Sequence, residues 1–237
     1  MLLLVFCLGA AGGIWAQAFL LPYAATQPPF ADWQFIKEWN SKTTVLREIR
    51  EIVVNRDEAI ERAIEKAQKL VVGVRSAKGK QVREGSGFIA TSDGFIITLA
   101  SLVPQGYTVM VYIDGEKEPV LGQVLKRDAK TGLALLKIEK NNLQTTGFAD
   151  ENSVKLGMPV FLVGRVFGKE GTVSLVNQGI VKGLSKDAIS TNMVEELTLQ
   201  GSALFDIAGR IVGLNTVDKE GKVVSIPSAL LLLFAGF

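Results

Sequence analysis

Gly85–Val103, GSGFIATSDGFIITLASLV, decides the fold of this chain. Two apolar, β-branched runs, Ser86–Thr91 and Phe95–Leu102, flank the turn Ser92-Asp93-Gly94. Short β-rich runs around a Ser-Asp-Gly turn predict a β-hairpin, with Ser101 at the end of its second strand.

The same short period continues outward. Leu70–Arg75, Tyr107–Ile113, Val120–Leu125 and Leu133–Ile138 read as further strands, separated by Pro-Gln-Gly and Asp-Gly-Glu turn signals. A second set follows at Pro159–Gly164, Thr172–Lys182, Ala188–Thr191, Ala203–Asp206, Arg210–Asn215 and Lys222–Ile226. Gly164–Gly168 lacks the spacing of a phosphate loop and reads as a loop between strands. Two groups of about six strands predict an all-β protein of two antiparallel barrels, at about residues 71–140 and 141–237. Ser228–Phe237 follows Pro227 as a short apolar terminal helix, too short to cross a bilayer.

Upstream of the strands the period is helical. Within residues 57–70, Ile60, Ala63, Ile64 and Ala67 share one face, and Asn55-Arg56-Asp57-Glu58 has the character of a capping box. Residues 26–56 read as a linker and helical stalk, with Leu46, Ile49, Ile52 and Val53 at helical spacing. Residues 1–25 carry no charged side chain and are long enough as a helix to span a membrane. A cleaved signal peptide is the alternative, because Ala16-Gln17-Ala18 has the small-x-small pattern. The missing positive n-region and the apolar run beyond Ala18 favour a retained anchor.

Composition excludes several function classes. A formal net charge of +2, with acidic and basic residues interspersed, offers no footprint for nucleic acid. Cys7 is the only cysteine, so no intrachain disulfide or cysteine-rich metal cluster can form. The chain has no histidine, which removes the usual general base and the usual zinc ligand together. No cofactor or metal is expected.

From about Asp57 to Phe237 the chain resembles the trypsin-like serine protease domain of the HtrA family. Gly85-Ser86-Gly87-Phe88-Ile89 resembles the family's GSG strand, and Phe95-Ile96-Ile97-Thr98 the strand leading to its catalytic histidine. Asp128–Ile138 resembles the segment carrying the catalytic aspartate, and Ala149–Gly157 matches a strand entry. Ala203–Thr216 resembles the run after the nucleophile, and Ser225-Ile226-Pro227-Ser228 the family's A-I-P-S. The order and spacing of these pieces carry the resemblance. It implies the trypsin-like (chymotrypsin) double barrel and an extracytoplasmic body. The family's C-terminal PDZ domain would lie beyond the last landmark.

All three catalytic positions implied by the resemblance depart from its pattern. Ser101 stands at the histidine, Gly132 at the aspartate and Gln200 at the serine. Gln200 falls within Thr198-Leu199-Gln200-Gly201-Ser202, where the family has G-N-S-G-G. A serine hydroxyl attacks only when an oriented base takes its proton, and nucleophile, base and orienter are all replaced. With Thr198 and Leu199 in place of Gly-Asn, the oxyanion turn is expected to be reshaped or closed. Ser202 reads as a small turn residue, and Ser101 as a hydroxyl bonded to nearby backbone. The adjacent Glu195 and Glu196 read as a solvated face.

These readings together predict a membrane-anchored pseudoprotease at the cell envelope. Its residual cleft would be formed by Thr198, Leu199, Gly201 and Ser202. The expected partners are a peptide or protein, for example by strand addition at the old cleft, and the membrane through residues 1–25. Self-association, an unconventional hydrolase using Ser202 or Ser101, and a structural scaffold stay open.

Overall fold

The computed structural model describes residues 58–169 and 171–236, with isolated positions at Gly9, Gly12, Gly13, Trp15, Ala16, Phe19 and Tyr23. The chain separates into two units, Met1–Glu58 and Ala59–Phe237. The anchor and stalk readings, including the stripe from Leu46 to Val53 and the cap at residues 55–57, lie almost wholly outside the described residues. Among those described, no helix is long and apolar enough to cross a membrane.

The second unit opens with a helix over residues 58–70, α1. Ala63, Ala67 and Leu70 are buried and Ile60 and Ile64 half-buried, so the face drawn by the 3.6-residue period is the packed one. Six strands follow: β1 Val71–Lys78, β2 Gln81–Ile89, β3 Phe95–Leu99, β4 Thr108–Tyr112, β5 Val120–Asp128 and β6 Leu133–Ile138. They close as a barrel in the order β1-β2-β3-β6-β5-β4. The second barrel contains β7 Pro159–Gly168, β8 Gly171–Leu184, β9 Ile189–Val194, β10 Ala203–Asp206, β11 Ile211–Val217 and β12 Lys222–Pro227. It closes in the order β10-β11-β12-β9-β8-β7, and every strand pair in both barrels is antiparallel. The expected all-β double barrel is the observed architecture. The terminal helix α2, Ser228–Ala235, packs Leu231 and Phe234 inward.

One expectation fails here. Gly164–Gly168 is the second half of β7 rather than a loop, pairing with Gly171–Leu175 of β8. Its glycines suggest a break, yet Gly164 serves close packing: a Cβ at this position would lie 2.3 Å from Leu199 Cδ2. A glycine inside a strand commonly marks such an approach.

The barrels are joined by buried polar contacts as well as by apolar packing. Ser86 on β2 and Arg165 on β7 are both buried. The Arg165 guanidinium donates to Val71 O at 2.9 Å and to Gln68 O at 3.1 Å, and pairs with Asp114 at 2.5 Å. It thereby satisfies a carbonyl in the last turn of α1, a group that an intrahelical bond cannot reach.

Candidate functional site

The first barrel delivers two of the three positions in one step. Leu99 pairs with Leu133 at the end of the β3–β6 ladder, and beyond it Ala100 N–H donates to Gly132 O at 2.8 Å. Ser101 follows Ala100 in a short 3-10 turn, Ala100–Leu102, so it sits beside Gly132. Gly132 has φ +74°, the left-handed region that a side chain resists. Its turn is held by Asp128, whose carboxylate accepts Lys130 N–H and Thr131 Oγ1, both at 2.9 Å. Those bonds lower the Asp128 pKa from its ordinary value, the Lys130 amide contributing most.

The second barrel brings up the third position. Gln200 closes the 3-10 turn Leu197–Leu199, and its carbonyl accepts Ser86 N–H at 2.8 Å. The following Gly201, at φ +77°, lies so close to β2 that a Cβ would stand 2.2 Å from Ser86 O and 3.1 Å from Leu102 Cδ1. Leu102 is the neighbour of Ser101, so the fold gathers Ser101, Gly132 and Gln200 around one point at the barrel junction.

The backbone at that junction is closely packed. Leu102 packs into the gap left by Gly85, where a Cβ would meet its Cδ1 at 2.6 Å. Leu199 is buried in the core of the second barrel. This burial fixes the turn: an apolar side chain of this size prefers the barrel interior by about 1.5–3 kcal/mol. One concave space in this barrel, ≈310 Å³, opens instead beside Glu151, Asn152, Leu184 and Ser228.

The backbone donors of the turn are engaged internally. Leu199 N–H bonds Glu196 O at 3.0 Å, Gln200 N–H bonds Leu197 O at 3.2 Å, Gly201 N–H bonds Asn215 O at 2.9 Å and Ser202 N–H bonds Leu199 O at 3.1 Å. An oxyanion hole needs such groups aimed at the charge that develops in the transition state. From Leu199 to Ser202 each N–H has an acceptor within the protein. The Gln200 side chain is also held, its Nε2 donating to Val217 O at 2.5 Å.

Four smaller expectations are corrected. Ser202 is no simple turn residue: it is fully buried and its Oγ accepts Asn215 Nδ2 at 3.0 Å, while Asn215 Oδ1 accepts from Ser225 Oγ. The Ser101 hydroxyl makes no protein hydrogen bond among the described residues, because the 3-10 turn leaves it exposed. Thr198 is exposed and Leu199 buried, so the residues expected to line a residual cleft divide between solvent and core. Glu195 is half-buried rather than solvated and accepts Asn177 Nδ2 at 2.6 Å, whereas Glu196 is exposed.

Two residues that knit this site together had no separate signal in the sequence. Ser86 reads there only as part of a GSG strand, and Arg165 as part of a loop. A basic residue flanked by Gly164 and Val166 in a run of strand character is the one available hint.

Comparison with known proteins places the chain. The family model described as the trypsin-like peptidase domain matches residues 85–214. Curated relatives include a probable periplasmic serine endoprotease DegP-like of Brucella suis, 32% identical over 165 residues, covering 66% of this chain and 32% of the relative. A protein of the same description from Halomonas elongata is 29% identical over 137 residues, covering 56% of this chain and 29% of its own length. The chain thus spans about a third of the curated relatives it matches. Among solved structures, the HtrA-type protease AlgW with tripeptide aligns at TM-score 0.67 and 24% identity, over 75% of this chain and 62% of the other. The serine endoprotease from Yersinia pestis aligns equally well, over 75% and 65%. With the matched region running from the GSG strand to Leu214, the chain belongs to the trypsin-like peptidase domain family, in its HtrA/DegP branch.

Proposed function

We propose that this chain is a protease-derived protein of the cell envelope that holds protein partners without cleaving them. The observation that carries the reading is the state of Gln200. It occupies the nucleophile position with its N–H bonded to Leu197 O and its side-chain amide bonded to Val217 O. Beside it stand Ser101 and Gly132, neither of which can take or steer a proton at neutral pH. The relatives named periplasmic endoproteases and the uncharged run at residues 1–25 support an envelope location with an N-terminal anchor.

The close packing of Leu102 against Gly85 and Gly201 supports a contact surface away from the old cleft. Val217 O, at the end of β11, already has a donor in Gln200, so strand addition there would have to displace it. An unconventional hydrolase draws no support from Ser202, which is fully buried.

The test uses purified full-length chain with a fluorophosphonate probe and with casein as substrate. The expected outcome is no labelling and no cleavage. Labelling that disappears in Ser202→Ala or Ser101→Ala would overturn the proposal.

A further inference from the structure

The outward face of β9 lies at the bottom of a groove. Ser190, Asn192 and Val194 face outward, alternating with buried Ile189, Thr191 and Met193. On one side Thr191–Met193 stand between Ser190, the partner of Val224, and Val194, the partner of Lys222, where β12 has Val223 alone. On the other side β8 carries an extra residue, Lys182, between Val181 opposite Thr191 and Gly183 opposite Ser190. Bulges of this kind bend a strand and re-aim its side chains. The result is a concavity of ≈590 Å³ along β9, walled by β8 and β12.

The break in the β9–β12 ladder is satisfied from within. Thr191 Oγ1 donates to Val223 O and accepts Met193 N–H, both at 3.2 Å. Asn192 turns its Oδ1 to Ile180 N–H at 2.8 Å, and because only the oxygen can accept, the amide is fixed with Nδ2 as its free end. Nδ2, the Ser190 hydroxyl and the ammonium groups of Lys182 and Lys222 have no protein partner among the described residues. The unclaimed side chains of the groove are therefore donors, two of them cationic. No carboxylate lines it. Glu195, just past β9, is engaged by Asn177 Nδ2, Asp218 by the N–H groups of Glu220 and Lys222, and Asp187 and Glu220 lie in the flanking loops.

We propose that this groove binds an extended acidic segment of a protein partner, with one carboxylate on Lys182 and a second on Lys222. Lys182 stands beside Ser190 and Lys222 opposite Val194. Two strand spacings and the rise between those levels separate the lysine Cα atoms by about 12–15 Å, the span of about four residues of extended chain. Such a chain carries side chains i, i+2 and i+4 on one face, so acidic residues at i and i+4 reach the lysines while an apolar i+2 lies over Val194. A concave floor one strand wide fits a single chain better than a flat bilayer. The inference names a partner class for the reading of a protein that holds partners, and rests on that reading.

Fluorescence anisotropy with the full chain tests the groove. A peptide containing Glu-Val-Thr-Val-Glu and a neutral fluorophore should bind, and its Gln-Val-Thr-Val-Gln counterpart should bind more weakly. Lys182→Gln and Lys222→Gln should each weaken binding by about two- to fivefold, the effect of a partly exposed ion pair. Asn192→Asp keeps the acceptor for Ile180 N–H but puts a carboxylate oxygen in place of Nδ2, so it should abolish binding with an unchanged thermal melt. Lys186→Gln/Lys219→Gln removes two exposed lysines outside the groove and should leave the affinity unchanged. Absence of binding, equal affinity for the glutamate and glutamine peptides, or an equal loss in the Lys186/Lys219 control would overturn the proposal. Phosphatidylglycerol vesicles that bind through Lys182 and Lys222 when the peptide does not would assign the groove to lipid and also overturn it. Mass spectrometry of the incubated peptide separates the two readings: an intact, unbound peptide counts against the groove alone, and a bound peptide that is cut counts against non-cleavage alone.

Discussion

The Ser86 hydroxyl accepts the N–H of Arg165 at 2.8 Å and donates to the carbonyl of the same residue at 3.1 Å, closing one barrel against the other through a single oxygen. Ser86 N–H donates to Gln200 O and Ser86 O accepts Thr98 Oγ1 at 2.7 Å, so its backbone is engaged as well. Ser86 is fully buried, and such a residue acts mainly by leaving no polar group unsatisfied. The turn at Gln200 therefore rests on the inter-barrel joint.

Ser86→Ala leaves the N–H and carbonyl of Arg165 without that partner. The expected loss is about 1–3 kcal/mol of stability, read as a lower urea midpoint with an unchanged slope. A change below about 0.5 kcal/mol, the range of ordinary surface substitutions, would show that water or a shifted strand replaces the hydroxyl.

Arg165→Met keeps the apolar stem and removes the donors to Val71 O, Gln68 O and Asp114. Losing the donors to the buried carbonyls of Val71 and Gln68 is expected to cost about 1–3 kcal/mol. Asp114→Asn should cost less than about 1 kcal/mol, because the Asp114 side chain is 41% exposed and water screens it. Paired thermal melts of the two variants give the comparison, and equal losses would contradict it.

Rebuilding the three catalytic side chains should not rebuild a protease. In Ser101→His/Gly132→Asp/Gln200→Ser, the aspartate must adopt φ +74°, at a cost of about 1–2 kcal/mol. The N–H groups from Leu199 to Ser202 also remain bonded within the turn. Fluorophosphonate labelling of the triple variant is expected to stay at background. Labelling well above background would show that the turn can release its donors.

The turn before Gly132 carries a pH dependence of known sign. The Lys130 amide, then the Thr131 hydroxyl, hold the Asp128 carboxyl below its ordinary pKa. A depressed folded pKa means that the contribution is fully present above the unfolded value and is lost as pH falls through the folded one. Carboxyl NMR should show Asp128 titrating below the ordinary aspartate value. The Asp128→Asn variant should lose the low-pH transition of the Lys130 amide. An unshifted Asp128 titration would contradict this account.

Much of the architecture was legible without coordinates, because strand period and turn chemistry are local properties. The hairpin around Ser92-Asp93-Gly94, the two groups of six strands and the buried face of α1 follow from alternation and spacing. The error at Gly164–Gly168 has the opposite origin. Its glycines look like a break along the chain, and only the approach of Leu199 explains why Gly164 belongs in a strand. The burial of Ser202 is invisible along the chain for a similar reason, since its partner Asn215 lies on β11 and is itself bonded by Ser225 of β12.

The opening stretch, Gly85–Val103, by itself determined the hairpin, the strand direction and the identity of Ser101, because each depends on neighbours within a few residues. It could not determine that Ser86 would bind Arg165 across 79 residues of chain, or that Leu102 would fill the gap beside Gly85 and Gly201. Those facts belong to the tertiary structure. Whether a polar group is satisfied, and whether a junction is open or filled, is decided by residues distant in sequence that only the folded barrels bring into contact.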